Sequence, residues 1–101
     1  MKVAISSEGK DENSDMSEVS GRAKYYLIYE DGKLVKTIKN PFAVGGGGAG
    51  PAVAEMLGDE NVDLILSGRF GDKMKDVLKS KKIKCKEISG MTIKEALTKV
   101  E

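Results

Sequence analysis

Arg22 and Arg69 are the only arginines among 17 basic residues, and each directly follows a glycine. A guanidinium presents a planar fork of donors that suits an oxyanion better than the point charge of lysine. The second stretch with chemical potential is Gly45-Gly46-Gly47-Gly48-Ala49-Gly50-Pro51, which leads into the apolar run Ala52 to Leu57. Glycine permits positive φ and close approach to a ligand, and proline favours the first turn of a helix. The run therefore reads as a bare-backbone loop feeding a helix N-terminus, where free N–H groups and the helix dipole favour an anion.

Two nucleotide readings of the glycine run fail on context. Gly45 to Gly50 formally match G-x-G-x-x-G, but the run follows the third expected strand, and Ser67 stands where the ribose-binding acid would end the next strand. Gly45 and Gly50 also have the Walker spacing, yet Pro51-Ala52 replaces the Lys-Ser/Thr that binds phosphate and magnesium. A plain flexible connector is the alternative for the run.

The chain contains no histidine and one cysteine, Cys85. This removes Ser-His and Cys-His nucleophiles, imidazole ligands, an internal disulfide and a single-chain thiolate cage. Cys85 reads as a small core hydrophobe in mid-strand. Met56 and Met74 read as core, whereas Met16 and Met91 fall on loops as potential thioether donors. Glu8, Asp11, Glu12, Asp15 and Glu18 crowd a polar loop that reads as solvated and flexible, with divalent-cation binding as its alternative. The arginines could equally pair with these acids. Lysines from Lys73 to Lys86 read as wet faces, and without interleaved aromatic residues they do not suggest nucleic-acid binding.

Five strands and three helices are expected to position these groups. Lys2–Ser6, Lys24–Glu30, Lys33–Lys39, Val62–Ser67 and Ile83–Ile88 are short, apolar and rich in branched or aromatic residues. Asp31-Gly32 is a two-residue hairpin turn. Helices follow the glycine run, with Gly58 as C-cap, then Asp72 as N-cap, then the capping box of Thr92 and Glu95. The order β-β-β-α-β-α-β-α predicts an α/β fold with a mixed sheet. If the carboxyl end of the first strand is the top, only the second strand runs down. The loops at 7–23, 40–50, 67–71 and 89–91 then share the top, with ten of the 12 glycines. Open α/β sheets bind ligands outside the carboxyl ends of their strands. The candidate site is therefore Gly21, Arg22, Gly45, Gly46, Gly47, Gly48, Gly50, Ser67, Gly68 and Arg69, suited to a small inorganic anion.

The 101 residues suit one domain spanning 1–101, with 40% hydrophobic and 33% charged residues as in a soluble globular chain. A net charge of +1 gives no global field to recruit nucleic acid or an acidic membrane. No apolar run approaches membrane-spanning length, and Met1–Ser6 is too short for a signal peptide, so the expected location is cytoplasmic. Abundant Lys and Glu without Gln or Trp is compatible with a thermophilic source.

Over nearly its whole length the chain resembles the dinitrogenase iron–molybdenum cofactor biosynthesis family, the small nitrogenase accessory-factor domains. The resemblance rests on Lys2-Val3-Ala4-Ile5, Gly21-Arg22-Ala23-Lys24-Tyr25-Tyr26-Leu27-Ile28 and Gly48-Ala49-Gly50-Pro51. It continues through Val62-Asp63-Leu64-Ile65-Leu66-Ser67-Gly68 with Gly71, Ile83-Lys84-Cys85 and Thr92-Ile93-Lys94-Glu95-Ala96-Leu97. It implies a ribonuclease H-like three-layer α/β/α fold whose five-stranded sheet has an antiparallel second strand. It also implies non-covalent binding of an iron–molybdenum or other metal–sulfur cluster, or its precursor, by a non-catalytic carrier that hands it to a cluster-assembly partner protein. Where the family often reads histidine-phenylalanine-glycine-arginine, this chain has Val19-Ser20-Gly21-Arg22. Imidazole ligation is thereby excluded, leaving backbone N–H groups, arginine and serine hydroxyls. The alternatives are a protein-interaction module without a cluster, and a nucleotide- or phosphate-binding enzyme using the glycine loop.

Overall fold

The computed structural model describes residues 1–44 and 49–100. The strands are β1 (Lys2–Ser7), β2 (Tyr25–Glu30), β3 (Lys33–Lys39), β4 (Leu64–Ser67) and β5 (Lys84–Glu87). The helices are α1 (Ala49–Asp59), α2 (Asp72–Ser80) and α3 (Ile93–Leu97), and a single 3-10 turn covers Ser20–Arg22. The sheet order is β3-β2-β1-β4-β5. β2 is antiparallel to both neighbours, while β1, β4 and β5 are mutually parallel. The expected mixed five-stranded sheet with three helices is present, and the ends of β1, β4 and β5 share one end of the molecule.

Side-chain alternation sorts the core into two layers. Ala4, Tyr26, Ile28 and Ile65 pack with Val53, Ala54 and Leu57 of α1 and Met74 and Leu78 of α2. Val3, Ile5, Leu27, Tyr29, Leu64 and Leu66 face the other way, onto Ile93 and Ala96 of α3. β2 is buried on both faces, which explains its lack of polar alternation. The Asp31-Gly32 turn uses positive φ at both residues, +52° and +83°, as a tight hairpin connection requires. β3 is an edge strand whose register slips opposite Ile28 and Tyr29, where Val35 bulges. The bulge and Lys33, Lys36 and Lys39 discourage pairing with another chain.

Several local expectations need correction. α1 begins at Ala49, so Gly50 and Pro51 lie in its first turn, and it runs through Gly58 instead of stopping there. The left-handed residue after α1 is Asn61, with φ +60°. Gly71, not Asp72, is the N-cap of α2, and Asp72 places its charge in the first turn. The capping box at α3 forms as expected: Thr92 Oγ1 accepts from Glu95 N–H at 3.3 Å, and Glu95 Oε1 accepts from Thr92 N–H at 3.2 Å. Cys85 is exposed, on β5 at the second edge of the sheet, and is not a core residue. Met16 is buried in the α3 layer instead of standing free on a loop.

The largest difference is the acidic loop. Its five acids are exposed, as expected, but its main chain is bonded along its length to β1 and to the start of α3. Glu8 N–H donates to Asp15 O at 2.9 Å and Met16 N–H to Met91 O at 3.0 Å. Ile93 and Lys94 donate to Ser14 O and Glu12 O, each at 2.9 Å. Side-chain polarity concealed this order, because main-chain groups make the bonds. No helix among the described residues is long and apolar enough to cross a membrane.

Candidate functional site

The segment Ser17–Ser20 is the centre of the top face. Ser17 N–H donates to Ser6 O at 3.1 Å, which ties the segment to the end of β1. Gly68 N–H donates to Ser17 O at 3.1 Å, Arg69 N–H to Glu18 O at 2.5 Å, and Ser20 N–H to Arg69 O at 2.9 Å. The segment thus runs parallel to the extension of β4, bridged at Val19 and Arg69. Gly68 permits this approach: a Cβ there would stand 2.6 Å from Glu18 Cα.

Beneath the segment lies a buried layer of hydroxyls. Ser6 Oγ donates to Ser67 Oγ at 2.6 Å, and Ser17 Oγ donates to the Glu8 carboxylate. Tyr26 OH donates to Ser20 O at 2.5 Å and lies 2.5 Å from Ser20 Oγ. Burial pushes the Tyr26 phenol far above its usual range, although the Ser20 hydrogen bond opposes the shift. Among the described residues no buried side-chain polar atom lacks a partner, so the layer is structural and rigid.

This arrangement sorts the sequence-predicted site residues. Ser67 is fully buried beside Ser6, and the N–H groups of Gly68 and Arg69 already serve carbonyls of the segment above them. Gly21 and Gly50 meet back to back: a Cβ on Gly21 would lie 3.0 Å from Gly50 N, and one on Gly50 would lie 3.1 Å from Met74 Cβ. These two glycines bring the 3-10 turn, α1 and α2 together. Gly45 to Gly48 lie outside the described residues. Arg22 is exposed and its Nη1 donates to Phe42 O at 3.1 Å. Arg69 is also exposed and makes no ion pair with a described residue.

The arginines reach the same end of the molecule but occupy separate clefts. Arg69 lines an open cleft of about 490 Å³ with Glu18, Val19, Gly68, Glu87, Ile88 and Ser89. Arg22 lines a second, of about 410 Å³, with Glu8, Asp15, Met16, Ser17, Glu18 and Val19. Glu18 and Val19 form the wall common to both. Sequence reasoning missed this wall and also Glu87, whose carboxylate accepts from Phe70 N–H at 3.0 Å and lies 3.8 Å from Lys75 Nζ. The visible clue to Glu87 was its place at the carboxyl end of the last strand. With Glu87 engaged by Phe70 and Glu8 by Ser17, Arg69 shares its cleft with one unengaged carboxylate, Glu18, whereas Arg22 shares its cleft with two, Asp15 and Glu18. The Arg69 cleft is thus the better seat for an anion.

Among the described residues no three His, Cys, Asp or Glu side chains converge as a metal cage. Cys85 lines neither cleft. Burial pushes its thiol pKa up, and Glu87 adds to the rise while Lys75 opposes it. A thiol held protonated is a weak nucleophile and a poor ligand.

Comparison with known proteins gives these clefts a context. The fold closely matches the apo form of the orange protein from Desulfovibrio gigas, with TM-score 0.90 and 22% identity over 97% of this chain and 84% of that one. A putative NifB protein from Thermotoga matches with TM-score 0.82 and 31% identity, over 96% of this chain and 84% of that one. A putative dinitrogenase from Methanocaldococcus jannaschii matches with TM-score 0.60 and 24% identity, over 97% and 85%. No curated protein matches the chain. The family model described as dinitrogenase iron-molybdenum cofactor matches residues 1–101, and the chain belongs to that family.

Proposed function

We propose that this protein is a non-catalytic carrier for a molybdenum- or iron–sulfur-type cluster or its anionic precursor. It would act as one cytoplasmic, ribonuclease H-like domain and pass its cargo to a cluster-assembly partner. Family membership supports the cargo class. The observation that carries the site is Arg69, an exposed guanidinium in an open cleft at the carboxyl ends of β4 and β5. The chain lacks histidine, so no imidazole is available there for proton transfer, whereas holding an anion needs only donors and shape. In this reading Arg69 makes the direct contact, and Arg22 attracts the cargo from the adjoining cleft. Gly21, Gly50, Ser67 and Gly68 support the wall between them, and Gly45 to Gly48 remain candidate donors.

The test is anaerobic calorimetry with molybdate and tetrathiomolybdate. An exposed charge-assisted contact contributes on the order of 1 kcal/mol, so Arg22→Ala/Arg69→Ala should weaken uptake roughly fivefold or more. Unchanged affinity in the double variant would remove the site assignment. A second reading, a protein-interaction module, draws on the exposure of Val19 and Val44, apolar side chains 38% and 86% accessible. Tight cluster binding by the isolated chain would count against it.

A further inference from the structure

We infer that Glu18 is the specificity-determining residue of the carrier site. Its carboxylate would select a preassembled cluster with an open metal position over a closed-shell oxyanion or thioanion. This inference rests on the carrier reading above.

Three observations carry it. Glu18 is exposed and lines both clefts, so it borders an anion held by Arg69 and one drawn in by Arg22. No hydrogen bond or ion pair from a described residue reaches that carboxylate, whereas Glu87 is engaged by Phe70 and Lys75, and Glu8 by Ser17. The Glu18 backbone is fixed, since its carbonyl accepts from Arg69 N–H and its Cα lies against Gly68. The chain therefore holds an unneutralised negative charge, rooted in a rigid segment, beside its own anion-binding arginine.

For a closed-shell dianion this carboxylate is only repulsive. A cluster presenting sulfides on one side and an exchangeable metal position on the other matches both groups: the guanidinium donates to sulfide, and Glu18 ligates the metal. The absence of a three-residue cage among the described residues leaves a bare metal ion without adequate ligands. A preassembled cluster brings its own sulfides and needs a single protein ligand. In that step a Glu18 Oε donates an electron pair to iron and one bound water leaves as water. No proton is transferred and no oxidation state changes.

The test uses two probes, tetrathiomolybdate and tetrathiomolybdate precomplexed with one equivalent of iron(II), titrated anaerobically into the wild type, Glu18→Gln and Glu12→Gln. Glu12 belongs to the same loop but lines neither cleft, so its variant controls for net charge. Glu18→Gln should tighten tetrathiomolybdate by about threefold to tenfold, the scale of removing one like charge a few ångströms away. The same variant should weaken the iron-bearing probe by about tenfold, and Glu12→Gln should move neither by more than about twofold. Same-direction shifts for the two probes, no shift, or an equal effect from Glu12→Gln would overturn the assignment of Glu18 while leaving the carrier reading intact. If neither probe binds any of the three proteins, the carrier reading fails and this inference fails with it.

Discussion

Gly68→Ala is the substitution through which the top face can be tested as a structural unit. The added Cβ would stand 2.5 Å from the carbonyl carbon of Glu18 and 2.6 Å from its Cα, where ordinary contact begins at 3.4 Å. The obstacle is backbone, so no side chain can swing aside, and Ser17–Ser20 must retreat by about an ångström. That movement stretches the bonds from Gly68 N–H to Ser17 O, Arg69 N–H to Glu18 O and Ser20 N–H to Arg69 O. At about 1 kcal/mol each, losing them costs about 3 kcal/mol, a substantial part of the roughly 5–15 kcal/mol that holds a small domain together. For a domain of this size that corresponds to a Tm lower by roughly 10–20 °C. Urea and thermal unfolding followed by circular dichroism would measure the loss. Gly71→Ala, where an added Cβ meets nothing within 4 Å, should stay within about 1 kcal/mol of the wild type. A loss below about 1 kcal/mol in Gly68→Ala would refute the view of Ser17–Ser20 as a strand-like wall locked to β4.

The raised Tyr26 pKa predicts alkaline sensitivity of known sign: the folded state keeps the phenol proton after the unfolded chain, near 10.0, has lost it. Its contribution is complete below that value and is lost as pH rises through the higher folded value, so the urea midpoint should fall above about pH 10 in the wild type and less steeply in Tyr26→Phe. Equal slopes would contradict the buried-phenol account. Thr92→Ala removes the capping-box acceptor of α3 and should lower stability by about 1 kcal/mol, read from the urea midpoint; no change would mean that the box contributes nothing measurable. Cys85 should react to one equivalent with a thiol reagent in the native protein, and more slowly at pH 8 than a free thiol because its pKa is raised. Full native protection would restore the core assignment that the structure overturned.

The parts of the molecule legible in the sequence were those written in side-chain pattern. Tyr26 and Ile28 on one face of β2, with Leu27 and Tyr29 on the other, marked a strand buried on both sides. The lysines of β3 marked an edge, and Thr92 with Glu95 marked a helix start. Features that depend on main-chain partners or neighbouring elements were not legible. The order in residues 7–20 comes from backbone donors and acceptors that any polar sequence could supply. Cys85 alternates like a core residue, but it stands exposed on β5, the edge strand of the sheet. Arg69 was found because arginine is rare in this chain. Glu18, among five acids in its loop, became distinct only when the fold placed it between both arginines' clefts.

The most direct test of the carrier account is metal analysis, with an absorption spectrum, of the protein purified anaerobically from its own source. The account predicts molybdenum, iron or both in near-stoichiometric amount, with a visible charge-transfer band that is weaker, along with the metal content, in Arg22→Ala/Arg69→Ala protein produced in the same cells. Protein from that source carrying neither metal above background and no visible band would contradict it.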